Sequence, residues 1–241
     1  MSPLRVFIGK DERQPLSFNV CVSSVFRHAT KPVSVMPIGP DWIPGFRRNG
    51  LTTFTFRRYL APYLCGYSGI SVFMDGDIVV RADVNELADI ALRDPHKAVF
   101  VAKHVARFEW PAVMVFNNDL CRKLTPEYLN DPNSAPQSLE WANEIGELPR
   151  EWHQCVGYEP HNEDAKLIHF TAGISCWPET KECPHSDKWW DEFKYANSTV
   201  SWNDLMGSSV HRDLVLSGKL AKLGQQSRAG YDRLPETDKQ R

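Results

Sequence analysis

The chain of 241 residues has no basic excess: 28 Lys and Arg stand against 30 Asp and Glu, giving a net charge of -2. A surface that neutralises a nucleic-acid backbone needs such an excess, so a broad nucleic-acid footprint is excluded. A bound anion must instead be met locally, by a few basic residues or a metal. Long hydrophobic runs are also missing. No stretch approaches the roughly 20 apolar residues of a membrane span. The opening "MSPLRVFIGKDERQ" turns polar too soon for a secretion signal. The six cysteines (Cys21, Cys65, Cys121, Cys155, Cys176 and Cys183) form no C-x-x-C pair, and several sit in apolar runs, as small core residues do. The cytoplasm is the expected compartment. No internal repeat is present, and no linker forces two domains.

What remains is an ordinary globular composition, 42% hydrophobic and 24% charged, on a chain long enough to bury a sizeable core. "LRVFIG" (4–9) reads as a buried first strand followed by a polar loop. Pro15 opens a helix running to about His28. "KPVSVMPI" supplies a second strand. In "TFTFRRYLAPYLCG", Phe56, Leu60 and Leu64 recur every fourth residue, which predicts a helix ending near Gly66. A strand over Ile70–Met74, a short helix over Val84–Leu92 and strands in "KAVFVAKH", "PAVMVFNND" and "AKLIHF" follow. "SDKWWDEFKYAN" reads as a late amphipathic helix, and the tail from Leu223 is polar and loosely ordered. Strands alternating with helices predict an α/β layer fold with a mixed or mostly parallel sheet.

The chemistry concentrates in "GISVFMDGDIVV". An apolar run ends in Asp75-Gly76-Asp77, and a second apolar run begins at once. Open α/β sheets bind ligands outside the carboxyl ends of their strands. In extended backbone, residues two apart point to the same side, so both carboxylates can face one cation, with Gly76 leaving room for a close ligand. Hard oxygen ligands suit Mg2+ or Mn2+ shared with substrate phosphates. An acidic turn is the bland alternative. Two enzyme classes place carboxylates this way: nucleotide-sugar glycosyltransferases and aspartyl-phosphate phosphohydrolases. The hydrolase motif normally occupies a first strand and needs a later acidic pair, and neither condition is met here.

"HFTAGISCW" adds His169 after the apolar "KLI". With "VFIGKDERQ", "FTFRRYLAPYLCGY", "VFMDGDIVVRAD", "AVFVAKH", "AVMVFNN", "LTPEYLN", "EIGELPREW" and "LIHFTAG", the chain resembles glycosyltransferase family 8-like enzymes of a bacterial branch over most of residues 4–205. The resemblance implies a GT-A type fold, a Rossmann-like mixed sheet flanked by helices in a single domain. Residues 1–205 would be the catalytic domain, and 206–241 a C-terminal helix and polar tail, partly disordered. It implies a UDP-sugar donor, an unidentified acceptor, retention at the anomeric carbon, and Mn2+ or Mg2+ held by Asp75, Asp77 and His169. An imidazole beside two carboxylates favours Mn2+.

For the nucleotide, the resemblance implies Gly9, Asp11, Arg13, Arg58, Asp75 and Gly76. For the sugar it implies Asn117, Trp152, Gly173 and Trp177, with Glu140 as the carboxylate near the reacting carbon. Arg57 is read as a surface residue. The chain departs from the pattern in a shortened loop, "VARFE" before Trp110, and in "GISCW" after the histidine. These departures keep open a second reading, a glycosyltransferase-like protein that binds nucleotide or sugar with little turnover. The phosphohydrolase remains a third.

Overall fold

The computed structural model describes residues 2–39, 43–102, 111–197 and 217. Met1–Ala196 form one compact unit and Asn197–Arg241 a second. The expected C-terminal helix and tail (206–241, apart from Ser217) and the shortened loop before Trp110 lie outside the described residues.

The chain begins with strand β1 (Leu4–Gly9), helix α1 (Pro15–His28) and strand β2 (Val33–Ile38). After a loop come helix α2 (Ala61–Leu64), strand β3 (Ile70–Met74), strand β4 (Ile78–Val80) and helix α3 (Asn85–Arg93). Strands β5 (Val99–Val101) and β6 (Val113–Asn117), helix α4 (Pro126–Asn130) and strands β7 (Ile145–Glu147), β8 (Gln154–Cys155) and β9 (Leu167–His169) lead to helix α5 (Ser186–Ala196).

Six strands make the main sheet in the order β2-β1-β3-β6-β5-β7. β1 runs parallel to both β2 and β3, whereas β6 is antiparallel to β3 and to β5. The central strands are buried on both faces, which is why they read as unbroken apolar runs rather than alternating ones. Pro37 is tolerated inside β2 because that strand is an edge. β1 and β3 end at the same side of the sheet, with Ile8 opposite Met74. The Asp75-Gly76-Asp77 turn leaves from there. β4 then joins a second sheet, ordered β4-β9-β8.

Cys21 and Val25 of α1, with Leu87 and Ala91 of α3, pack into one core cluster with Val72 and Val115 of the sheet. Tyr59, Leu60 and Trp141 belong to another, with Phe73 and Phe116. The architecture is the mixed sheet flanked by helices that the sequence implied.

Two local readings are corrected. The helix expected through "TFTFRRYLAPYLCG" is a 3-10 turn (Arg57–Leu60) running into the short α2. Pro62 lies in the first turn of α2, and a proline there restrains the residue before it and lacks an N–H for a longer helix. Arg57, read as a surface residue, is 3% exposed. Its guanidinium bonds the Thr53 carbonyl and Asn49 and lies 4.9 Å from the Phe46 ring centre.

Trp152 is also corrected. It ends a 3-10 turn and is 1% exposed, among Leu148, Leu167 and Phe100. At that burial no ring face is free to flank a sugar, and the residue is core. Trp177, by contrast, is 38% exposed. Trp152→Ala and Trp189→Ala are expected to lose about 3–5 kcal/mol each, as buried aromatic truncations do. Trp177→Ala should stay within about 1 kcal/mol of wild type. Denaturant unfolding of the three variants checks the assignment, and a Trp152→Ala protein as stable as wild type would overturn it.

Candidate functional site

Strand β4 pairs antiparallel with β9 so that Ile78 lies opposite His169. The Phe170 N–H donates to the Asp77 carbonyl at 3.0 Å, extending that ladder into the turn. The Asp75 N–H donates to the Ala112 carbonyl at 2.8 Å, which fixes the other side of the turn to the start of β6. Gly76 has a steric reason beyond ligand access: a Cβ there would lie 2.2 Å from the Gly9 carbonyl oxygen. At Gly9 the close neighbour is the Phe54 ring, 2.7 Å from an added Cβ.

The result is a three-residue cluster. Ligand atoms of Asp75, Asp77 and His169 all lie within 4.8 Å of one another. His169 Nε2 is 3.2 Å from Asp77 Oδ1 and 3.9 Å from Asp75 Oδ2. The Cys155 thiol of β8 stands 4.0 Å from His169 Nδ1, on the other side of the ring. Arg58 Nη1 lies 3.1 Å from Asp75 Oδ1 and donates to the Pro111 carbonyl at 2.6 Å. Its guanidinium also sits over the Phe54 and Phe73 rings, at 5.3 and 5.0 Å. Arg58 therefore braces Asp75 instead of standing free in the cleft.

The electrostatics separate the two carboxylates. Burial raises Asp75, Arg58 and His169 oppose it, and Asp77 adds to it; the outcome is a pKa pushed up to about 6. Burial pushes Asp77 the same way, but the charge and hydrogen bond of His169 outweigh it and leave Asp77 below the ordinary carboxylate value. Burial depresses His169, yet Asp77, by charge and hydrogen bond, with Cys155 and Asp75, holds the imidazole well above its ordinary value. Asp75 Oδ1 is buried with no aligned hydrogen-bond partner. Two carboxylates and one imidazole form a donor set that fits a divalent cation of the Mn2+ type.

The cluster faces a cleft of about 570 Å³. Gly9, Asp11, Arg13, Arg58, Gly76 and Trp177 of the expected residues also line it. Asp11 accepts from the Arg13 backbone N–H and Nε at 2.9 Å each, and from Nη2 at 2.6 Å. Arg13 Nη2 also donates to the Leu51 carbonyl. This pair closes on itself at the rim. Gly173 (φ 128) does not line the cleft but allows Trp177 to lie on its backbone, an added Cβ meeting the ring at 2.8 Å.

Asn117 and Glu140 are not gathered. Because β6 is antiparallel to β3, Asn117 sits opposite Ile70 at the far end of the sheet. Four residues at roughly 3.3 Å each separate it from the motif end. Its amide donates to the Pro95 carbonyl at 2.7 Å. Glu140 is exposed and outside the cleft lining. Thr171, Gln137, Gln14 and Cys155 were missed. Thr171 follows "HF" directly and could have been read from that motif, whereas Gln137 sits in a Pro- and Asn-rich passage with no pattern to single it out.

This architecture is the GT-A glycosyltransferase fold. Among solved structures, the chain is similar to the WbbM bifunctional glycosyltransferase in apo form: TM-score 0.62 and 17% identity over 80% of this chain. It spans only 50% of that protein. It is also similar to the galactosyltransferase LgtC solved with donor and acceptor sugar analogues, with TM-score 0.54, 11% identity, 85% of this chain and 99% of that one. By sequence it is similar to Protein CDI of Arabidopsis thaliana, 27% identical over 81% of this chain and 88% of that protein. No protein-family model matches. Among the described residues no helix is long and apolar enough to cross a membrane.

The unequal carboxylates generate a prediction in the metal-free protein. Asp77→Asn breaks the pair with His169 and should lower stability by roughly 1–3 kcal/mol at neutral pH. The sign follows from linkage. Asp77, depressed in the fold, contributes stability above the ordinary carboxylate pKa and loses it as pH falls through its folded value. Asp75, raised to about 6, favours the fold at acid pH, and that advantage disappears as pH rises from about 4 to about 6. Asp75→Asn should therefore flatten the stability profile in that window. Denaturation in chelator across pH checks both; a profile for Asp75→Asn that parallels wild type would reject the assignment.

Proposed function

We propose that this chain is a metal-dependent glycosyltransferase, a family 8-like enzyme of the bacterial branch its motifs resemble, that moves a sugar from a nucleotide sugar to an acceptor. In this reading the donor is a UDP-sugar and the anomeric configuration is retained. The observation that carries the reading is the gathering of Asp75, Asp77 and His169 within 4.8 Å at one cleft of a GT-A fold.

Asp75, Asp77 and His169 would hold Mn2+ or Mg2+, which supplies Lewis-acid stabilisation of charge on a departing diphosphate. Every other contribution comes from the chain. Arg58, fixed by the Pro111 carbonyl and two aromatic faces, keeps Asp75 aimed into the cleft. Gly76 lets the turn close against Gly9 so that both carboxylates face the same side. Asp11 retains acceptor capacity at the rim for a ribose or base, although Arg13 occupies part of it. Trp177 offers an exposed ring face for a sugar. The reading does not use Glu140, Asn117 or Trp152.

Calorimetry tests the metal link. UDP affinity should need Mn2+ and collapse in chelator, and equal affinity with and without metal would sink the proposal. Release of UDP from a panel of UDP-sugars then separates transfer from simple binding, since a chain that binds UDP with Mn2+ but turns over none of the panel is the non-catalytic binder.

A pH prediction follows from His169. The imidazole must shed its proton to ligate a cation, and Asp77 holds that proton beyond the ordinary histidine range. Mn2+ affinity should therefore weaken as pH falls through a value above about 6.5. His169→Ala should bind Mn2+ at least about ten-fold more weakly and lose most of this dependence. Matching pH profiles for wild type and variant would show that His169 is not a ligand.

A further inference from the structure

A second group of ligand-type side chains lies away from the cleft. His161, Glu163 and His185 bring their ligand atoms within 4.8 Å of one another, and none of them lines the cleft around Asp75. His161 and Glu163 are exposed, on the segment leading into β9. His185 is 3% exposed and precedes α5, its carbonyl accepting from the Lys188 and Trp189 N–H groups at 3.0 and 3.1 Å. His161 Nε2 stands 3.0 Å from Glu163 Oε2, and Lys188 Nζ 2.8 Å from Glu163 Oε1. The two imidazoles stack, with centres 4.1 Å apart.

His185 is the unusual member. Both of its ring nitrogens are buried without a hydrogen-bond partner. A neutral imidazole carries one donor and one acceptor, and leaving both unmade in the interior is unfavourable. Its backbone adds to this, because φ is 63°, a left-handed conformation that a residue with a β-carbon adopts at some strain. A buried imidazole kept in this state, with a second imidazole and a carboxylate against it, is arranged as a ligand awaiting a cation.

We propose that His161, Glu163 and His185 form a structural site for a late first-row divalent cation of the zinc class. Two nitrogens and one carboxylate oxygen suit Zn2+ and its neighbours rather than Mg2+ or Ca2+, which prefer all-oxygen sets. Three protein ligands leave a fourth position for water. Bonds of about 2.0–2.2 Å require the ligand atoms to draw together. His161, with 48% of its side chain exposed, rotates out of the stack to do so while His185 stays fixed. Glu163 keeps Lys188 on one oxygen and offers the other. Lys188 and His161 hold the Glu163 carboxyl down at about 2, so it is ionised. Burial and the neighbouring His161 hold His185 below its ordinary value, so it is neutral.

The bound cation would tie the segment before β9 to the start of α5. Trp189 of α5 packs with Ile168 and Phe170, the residues flanking His169. The site thus braces the strand that carries His169 from outside the cleft. It stands independently of the sugar-transfer reading.

Zinc calorimetry on the full chain tests this in an Asp75→Asn background, which weakens the cleft cluster. Asp75→Asn should bind one equivalent of Zn2+ that survives excess Mg2+, with a rise in Tm. Adding His161→Ala or Glu163→Gln, both exposed positions, should weaken that binding roughly ten-fold or more and abolish the Tm rise. His96→Ala, an exposed control, should change nothing. In the wild-type background, His161→Ala should lose one zinc equivalent, which covers the case where Asp75→Asn fails to fold. Zinc binding unchanged by His161→Ala, or no retained equivalent in a folded Asp75→Asn protein, overturns the proposal.

Discussion

The register of β4 against β9 is the constraint on which the cleft depends. Ile78 opposite His169, and the Phe170 N–H on the Asp77 carbonyl, place an imidazole beside a carboxylate that is remote from it in sequence. A one-residue slip in that ladder would turn His169 to the other face of its sheet. The apolar residues around it oppose such a slip. Val79, Ile168, Phe170 and Trp189 share one buried cluster, and shifting the strand would exchange those burials for exposure. Hydrophobic packing on one face thereby holds polar groups in place on the other.

The polar groups repay little of their own burial. Asp75 and Asp77 bring two carboxylates together, and among the described residues Arg58 and a protonated His169 oppose their charge in the metal-free protein. The protein settles this unequally. Asp77 takes the imidazole and its pKa falls, whereas Asp75 keeps the Arg58 ion pair without an aligned hydrogen bond on that oxygen and has a pKa pushed up to about 6. Such opposite displacements of paired groups are characteristic of functional sites. A cation taking the place between the carboxylates would displace the charge now held on His169, so its binding would be proton-linked.

Much of this was legible in the sequence. β1, β3 and α1 fall at their expected residues because long apolar runs and Pro15 mark them. The Asp-x-Asp turn was legible because charges rarely interrupt such runs. β7 and β8, three and two residues long, carry no period to read. β4 has no turn signal besides Gly76 to separate it from β3. His169 was reached by resemblance, as nothing local connects it to Asp75. Asn117 failed for a definite reason: a sheet has two ends, and strand direction, invisible in a single segment, decides which one a residue occupies. Trp152 failed because ring chemistry alone does not distinguish a core aromatic from a sugar platform.

The segment after β9 shows how one backbone path can serve several ends. His169 leaves the strand into the cluster, Thr171 follows at the cleft wall, and Gly173 takes a φ of 128° that a side chain would resist. That glycine brings the backbone under Trp177, so the ring stays partly open on the cleft side rather than sinking into the core as Trp152 does. Replacing "GISCW" by a sequence without glycine at that position would push Trp177 off its support by the Cβ contact. Position 173 therefore requires a residue with no side chain beneath the ring.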